Sequence, residues 1–236
     1  KQVIINADDQ YGKQWIIELD KPVLAYSCKM NAAQCDAFQV PFIRAENVKL
    51  SLHGIKADVF TPWGEAKLSL PLIGEFNLSN ALAVIGAMCK YGLSLQEVVE
   101  RFSTVKPVPG RMQTVVKKDK PLIVVDYAHT PDSLEKALRA LRLHTKGKLI
   151  CVFGCGGDRD KTKRPIMAAI AEKLADKVFV TNDNPRNEVP ETIAAEIMQG
   201  FEQPERISVL LDRSKAIENS IQYAEICDCI LVAGKG

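Results

Sequence analysis

The residues able to do chemistry fall into a few short runs, and Asp183-Asn184-Pro185-Arg186 is the most specific of them. An Asn-Pro turn fixes the backbone leading into Arg186. A guanidinium held still is a planar fork that matches a carboxylate. The alternative is that Arg186 is solvated, or pairs with Glu188 and only shapes its loop. Gly154-Cys155-Gly156-Gly157-Asp158-Arg159-Asp160 adds a glycine-rich segment and a second cation, Arg159. Such a segment is either an anion cradle or a tight strand-to-helix turn. The phosphate-loop pattern Gly-x-x-x-x-Gly-Lys-Ser/Thr occurs nowhere, and the dinucleotide fingerprint Gly-x-Gly-x-x-Gly fails at Arg159.

Three further runs hold polar groups in less specific arrangements. In Asp126-Tyr127-Ala128-His129-Thr130-Pro131, Asp126 is a site residue or the cap of a helix opening at Pro131. His129 is a surface turn residue or, at a strand end before Thr-Pro, a functional one. Asp212 reads as a helix cap alone. Asn77 and Asn80 follow Gly74-Glu75-Phe76 at the start of a helix. Asn77 is a site residue or only the helix's N-cap, and Asn80 lies one turn later on the same face, where an amide can both donate to and accept from a purine edge. Asn6-Ala7-Asp8-Asp9 faces a cleft or is only a turn.

These runs need elements to position them. Up to about residue 106 the text reads as short buried strands at Val3–Asn6 and Pro22–Ser27, then alternating stretches at Val48–Phe60 and Glu65–Leu72 around Thr61-Pro62-Trp63-Gly64, a β-hairpin. Helices are expected at Asn77–Tyr91 and at Ser94–Phe102, the second capped by Ser94. Lys106-Pro107-Val108-Pro109-Gly110 has the composition of a linker, giving units of residues 1–107 and 108–236. Beyond it, apolar strands (Leu122–Val125, Leu149–Phe153, Val178–Thr181, Ser208–Leu211, Cys229–Val232) alternate with helices (Pro131–Leu143, Arg164–Leu174, Pro190–Phe201, Arg213–Tyr223). That alternation implies a parallel sheet covered on both faces, a doubly wound α/β unit of Rossmann type. Parallel strands carry all five following loops to one edge, where ligands of such sheets bind.

Composition narrows the class. With 47% hydrophobic and 25% charged residues, the chain has material for a core. A net charge of +2 without a basic stripe argues against a nucleic-acid partner. No apolar run reaches membrane-spanning length and there is no signal peptide, so no membrane partner is expected. Seven cysteines, several within apolar patterns, read as reduced thiols of a cytoplasmic protein. The spacings of Cys227-Asp228-Cys229 and Cys151…Cys155 and the scattered histidines do not suit zinc. The strand-like text at Lys1 and the Ala233-Gly234-Lys235-Gly236 close give the expectation of a chain cut from something longer. An incomplete sheet would leave an exposed edge prone to association.

Taken in order, Gly74-x-Phe76-Asn77-x-x-Asn80, Gly110-Arg111-Met112, Asp126-Tyr127-Ala128-His129-Thr130-Pro131, the Phe153–Asp160 segment, Asp183-Asn184-Pro185-Arg186 and Ala233-Gly234-Lys235-Gly236 resemble the Mur ligases and their folylpolyglutamate synthase relatives. The last three motifs resemble the branch of the family that adds meso-diaminopimelate. The resemblance runs over the whole chain and is strongest from Gly74 onward. It implies the later part of a central ATPase domain (1–107) followed by most of a C-terminal Rossmann-like domain (108–236). It also implies an ATP- and Mg2+-dependent, amide-forming reaction of peptidoglycan synthesis, with UDP-N-acetylmuramoyl-L-Ala-D-Glu and meso-diaminopimelate as substrates and an acyl phosphate as intermediate. By resemblance, Asn80 reads adenine with Asn77 in support, and Arg111 and Asp126 contact ribose and phosphate at the domain junction with His129 close by. Arg159, Asp183, Asn184, Arg186 and Gly234 correspond to the amino-acid site. The family's phosphate loop, magnesium-binding glutamate, carbamylated lysine and UDP-binding domain are not among these 236 residues, nor is the His-Glu that follows Gly236 in the pattern. No metal ligand is therefore expected here, and the chain alone is expected to be inactive.

Two rivals remain. Another amide ligase of the folylpolyglutamate synthase type is disfavoured by the Asp183–Arg186 run. A nicotinamide-binding Rossmann oxidoreductase is disfavoured by the missing fingerprint and by the lack of an acidic ribose reader after the second strand.

Overall fold

A computed structural model of the chain describes residues 2–51 and 54–234. It divides into two compact units, Lys1–Lys106 and Pro107–Gly236.

The first unit holds one five-stranded sheet, in the order β1 (Val3–Asn6), β2 (Val23–Ser27), β3 (Phe42–Ser51), β4 (Gly54–Thr61), β5 (Gly64–Leu70). The first three strands are parallel, and β3, β4 and β5 pair antiparallel. The stretch Val48–Phe60, read from the sequence as one alternating run, is thus divided between two strands. Its Leu52 and His53 lie outside the described residues. The β4–β5 hairpin closes at Thr61↔Gly64, where the Thr61 hydroxyl donates to the Gly64 carbonyl over 2.9 Å.

Two helices absent from the sequence reading, α1 (Gln10–Glu18) and α2 (Ala32–Asp36), fill the β1–β2 and β2–β3 connections. Asp9 caps α1 by accepting from the Tyr11 and Gly12 N–H groups, so Asp9 is a capping residue. Asp8 accepts from the Ser27 hydroxyl and from the Cys28 N–H, tying the ends of β1 and β2 together. The sheet's main core lies under α3 (Glu75–Tyr91) and α4 (Leu95–Phe102), where Leu78, Leu82 and Ile85 pack on Leu24, Ile43, Val59 and Leu68. Ser94 and Glu97 form a capping box at the start of α4.

The second unit is a six-stranded sheet. Its strands are β6 (Gln113–Val115), β7 (Leu122–Asp126), β8 (Leu149–Phe153), β9 (Lys177–Val180), β10 (Ser208–Val209) and β11 (Cys229–Ala233), in the spatial order β10-β9-β8-β11-β7-β6. All neighbours are parallel except β6, an antiparallel edge strand not foreseen from the sequence. The connecting helices are α5 (Pro131–Arg142), α6 (Lys163–Leu174), α7 (Pro190–Met198) and α8 (Arg213–Tyr223). Helices α5, α6 and α7 pack side by side, whereas α8 buries Ala216 against Ile150, Val152, Phe179, Ile230 and Val232. The central strands β8 and β11 are buried along their whole length, which explains their unbroken apolar text. No helix among the described residues is long and apolar enough to cross a membrane. All seven cysteines are unpaired thiols.

Leu138, with 0% of its surface exposed, lies inside α5, and Leu143, with 71% exposed, is the C-cap of the same helix. Leu138→Ala is expected to lower the unfolding free energy by about 2–5 kcal/mol through lost burial and the cavity left behind. Leu143→Ala should stay within about 0.5 kcal/mol of the parent. Urea denaturation of both variants checks this, and equal midpoint shifts would contradict the packing described.

Candidate functional site

In the second unit the carboxyl ends of the parallel strands gather the polar loops onto one edge. Asp126, at the end of β7, is buried, with Oδ1 accepting from the Ala128 N–H and Oδ2 from the Met112 N–H, both at 2.8 Å. It therefore does not cap the following helix. Thr130 does, through a capping box with Ser133. Asp126 instead braces the turn containing Arg111, where Met112 adopts φ 45°. The Arg111 guanidinium lies 4.6 Å from the centre of the Tyr127 ring, a cation–π contact. His129 is exposed, its Nδ1 lies 2.9 Å from the Tyr127 carbonyl and its ring stands edge-on to Tyr127. Lys163, which the sequence reading passed over, donates to the His129 carbonyl at 2.6 Å. Gly234, at the end of β11, donates its N–H to the Asp126 carbonyl at 2.9 Å. Lys235 and Gly236 lie outside the described residues.

A second group forms where the loops after β8 and β9 meet. Asn184 Oδ1 accepts from the Arg186 N–H at 3.2 Å, and the Pro185 carbonyl accepts from the Glu188 N–H at 3.0 Å, so the segment is a tight turn. The Asn184 carbonyl accepts from Gly157 N–H at 2.9 Å, and Arg186 Nη1 donates to the Gly157 carbonyl at 2.7 Å. The two loops pass so closely that a Cβ on Gly157 would sit 1.9 Å from the Pro185 carbonyl oxygen. This clearance is a role for the glycine run that its sequence alone did not distinguish from anion binding.

Arg186 is exposed, and among the described residues no carboxylate pairs with it. Glu188, the alternative partner, is engaged elsewhere. It accepts from both terminal nitrogens of the buried Arg164 at 3.0 Å, from the Asp158 N–H at 2.6 Å and from Lys161 at 3.1 Å. Arg164 is a further residue the sequence reading missed, since a lone arginine at a helix start reads as solvated. Arg159 is exposed on this braced loop, with no ion pair among the described residues. Arg213 donates to the carbonyls of Asn182 at 3.2 Å and Ala233 at 2.8 Å, joining the ends of β9 and β11, while Asp212 caps α8.

In the first unit, α3 begins at Glu75 with Gly74 as its N-cap, so Asn77 is not the cap expected from the sequence. Asn77 instead donates from Nδ2 to the Ile73 carbonyl at 2.8 Å, which leaves its Oδ1 facing the Asn80 amide at 3.5 Å. Asn80 is exposed one turn along the helix.

With this geometry in hand, comparison with known proteins is specific. Residues 110–236 match the model of the Mur ligase, glutamate ligase domain, and residues 1–88 that of the Mur ligase middle domain. The chain belongs to the Mur ligase family. It is 48% identical over 239 residues to the UDP-N-acetylmuramoyl-L-alanyl-D-glutamate--2,6-diaminopimelate ligase of Haemophilus ducreyi, covering 100% of this chain and 47% of that protein. Its identity to the ligase of the same name from Coxiella burnetii is 45%, covering 99% and 47%. A solved structure of a ligase of that name superposes with a TM-score of 0.64 at 36% identity, over 100% of this chain and 48% of that one. A pseudomurein peptide ligase type C from Methanothermus fervidus shares the fold, with a TM-score of 0.75 at 20% identity, over 100% of this chain and 54% of that one. The chain thus spans about half the length of the curated relatives it matches.

The Glu188 cluster has a pH signature. The paired guanidinium of Arg164 and then the Asp158 N–H hold its carboxyl down at about 2, against an ordinary 4.5. A depressed folded value means stabilisation that is complete above about pH 4.5 and lost as the pH falls towards 2. Thermal melts across that window should show Glu188→Gln less stable than the parent at pH 5, with the gap closing towards pH 2. A gap that stays constant throughout would sink this assignment.

Proposed function

We propose that this chain supplies the C-terminal half of an ATP-dependent ligase that adds meso-diaminopimelate to UDP-N-acetylmuramoyl-L-Ala-D-Glu in the cytoplasm, for peptidoglycan synthesis. The observation that carries the reading is Arg186. It is a cation fixed by a tight turn and by the Gly157 carbonyl, exposed on the ligand-binding edge of a parallel sheet, and free of any carboxylate partner among the described residues. Diaminopimelate differs from lysine by a carboxylate on its far carbon, and a fork-shaped donor held in place is what distinguishes the two. The names of its relatives from Haemophilus ducreyi and Coxiella burnetii agree with this.

The reaction transfers the terminal phosphoryl group of ATP to the D-glutamyl γ-carboxylate. The amino group of diaminopimelate then attacks the acyl phosphate, and the tetrahedral adduct releases phosphate as the amide forms. Its demands are to place an amine beside two anionic partners and to neutralise charge, so orientation and fixed cations supply the catalysis. Within this chain, Arg186 and Arg159 grip the amino acid's carboxylates, with Asp183, Asn184 and Gly234 completing its site. Asn80, oriented by Asn77, reads the adenine edge. Arg111, steadied by Tyr127 and by Asp126 through the Met112 N–H, meets the nucleotide's ribose and phosphate, with His129 beside it. Magnesium accompanies the nucleotide in this reading. Among the described residues no group of three or more His, Cys, Asp or Glu is arranged to hold a metal ion, so no metal ligand is assigned to them.

Arg186→Ala in the full-length ligase carrying this sequence should lower kcat/KM for diaminopimelate by roughly a hundredfold or more, with lysine little affected or improved. Steady-state kinetics with both amino acids decides it, and an unchanged diaminopimelate rate removes the main support for the substrate assignment.

A further inference from the structure

The side chain of Arg164 is completely buried at the start of α6, and among the described residues its hydrogen bonds go to none of those placed in the substrate site above. Its Nη1 donates to Glu188 Oε2 at 3.0 Å and Glu196 Oε2 at 2.6 Å, and its Nη2 to Glu188 Oε1 at 3.0 Å and the Gly156 carbonyl at 3.3 Å. One guanidinium therefore joins the loop after β8, the turn after β9 and helix α7. We propose that Arg164 is a positioning residue that sets the substrate-gripping geometry of Arg186. This rests on the reading of Arg186 as the cation that grips the distal carboxylate.

Two observations support positioning over plain stability. The first is backbone conformation. Asp158 has φ 52° and Arg186 has φ 50°, both in the left-handed region that L-residues avoid. Such conformations persist where the surroundings over-determine them. Here the two residues lie on the two loops that the clamp joins. Glu188, gripped by Arg164, receives the Asp158 N–H, while Asp158 Oδ2 accepts from the Asn187 N–H at 3.2 Å and its side-chain amide at 2.8 Å. Arg186 precedes Asn187, so releasing Glu188 frees both residues to relax. The second is the chemistry of Arg164 itself. Its Nε is buried without a hydrogen-bond partner among the described residues. A buried ion pair with an orphaned donor is a poor device for stability compared with apolar packing. Its forked geometry is a good device for holding two loops at a fixed spacing.

The chain of contacts runs from Arg164 through Glu188 to Asp158, and back through Gly157 to the Arg186 guanidinium at 2.7 Å. Loosening its first link displaces the fork without touching the nucleotide residues. The effect belongs in amino-acid binding and selectivity, not in the phosphoryl-transfer step.

Arg164→Lys keeps the charge and loses the fork. In the full-length ligase it is compared with Arg186→Ala and with the double variant. Expected for Arg164→Lys is a KM for diaminopimelate raised about tenfold or more, kcat within about threefold and KM for ATP within about twofold, with discrimination against lysine falling in step. In the Arg186→Ala background the same substitution should cost less than about twofold further, because the group it positions is gone. Glu188→Gln should give the same pattern in weaker form, and decides the matter where Arg164→Lys does not fold. Unchanged diaminopimelate KM, or an equal loss in both backgrounds, overturns the proposal. A normal Arg186→Ala enzyme overturns the reading of Arg186 and the proposal with it, whereas a strong Arg186→Ala defect beside silent Arg164→Lys and Glu188→Gln overturns the proposal alone.

Discussion

Everything at the candidate site depends on strand direction in the second unit. Five strands run parallel, so each connection must cross the sheet and every loop after a strand emerges at the same edge. Right-handed crossovers then decide which face each helix covers. The steps from β7 to β8, β9 and β10 all move one way, and their helices α5, α6 and α7 share a face. The return from β10 to β11 moves the other way and carries α8 to the opposite face. Because β11 slots between β8 and β7, Gly234 arrives beside Asp126, and the backbone bond between them is a consequence of topology.

Within that edge, charge is arranged so that some cations are used up and others are not. Arg164 and Lys161 meet Glu188 and Glu196, two positive and two negative groups that neutralise one another. Arg213 is spent on backbone carbonyls. Arg159 and Arg186 are left outside these pairings, on loops that the internal cluster holds rigid. An isolated guanidinium on a mobile loop loses much of its value to side-chain and backbone entropy when it binds. Fixing the loops from within is the alternative, and its cost is carried by two left-handed residues and by a buried donor left unpaired among the described residues.

The alternation of apolar strands with amphipathic helices was legible because β8 and β11 are buried on both faces and α5 shows an apolar stripe of Leu134, Ala137, Leu138 and Leu141. Helix α8 falls on Arg213–Tyr223, the range its text suggested, and α7 stops at Met198, before the Phe201 expected. What stayed hidden has physical reasons. Helix α1 buries only Gly12 and Ile16 while leaving Tyr11, Trp15 and Ile17 exposed, so its periodicity is blurred. Strand β6 is a three-residue edge. Asn77 has the composition of an N-cap, yet Gly74 takes that place at φ 98°, a conformation that favours glycine. Asp126 likewise looks like a cap, but Oδ1 is claimed by the Ala128 N–H and Oδ2 by that of Met112, fourteen residues upstream and invisible to local patterns. The partnership of Arg164 with Glu188 spans 24 positions, and in the sequence Arg186 stands as the nearer candidate, a pairing the structure does not form among the described residues.

The glycine run shows how a motif's chemistry differs from its appearance. Glycine-rich loops at strand ends suggest backbone N–H groups turned towards an anion. Here the Gly157 N–H is taken by the Asn184 carbonyl, and the next N–H, of Asp158, by Glu188. Gly154 and Gly157 lack side chains because the carbonyl oxygens of Thr181 and Pro185 occupy that space, 2.1 and 1.9 Å from where a Cβ would be. The run therefore brings two backbones into contact. Two N–H groups of the run are therefore already paired within the protein, and the positions of the exposed Arg159 and Arg186 follow from the contact that the glycines allow. If the exposed guanidiniums bind a carboxylate, as proposed, its recognition is a question of loop spacing, and a buried arginine bonded across that spacing bears on an exposed one.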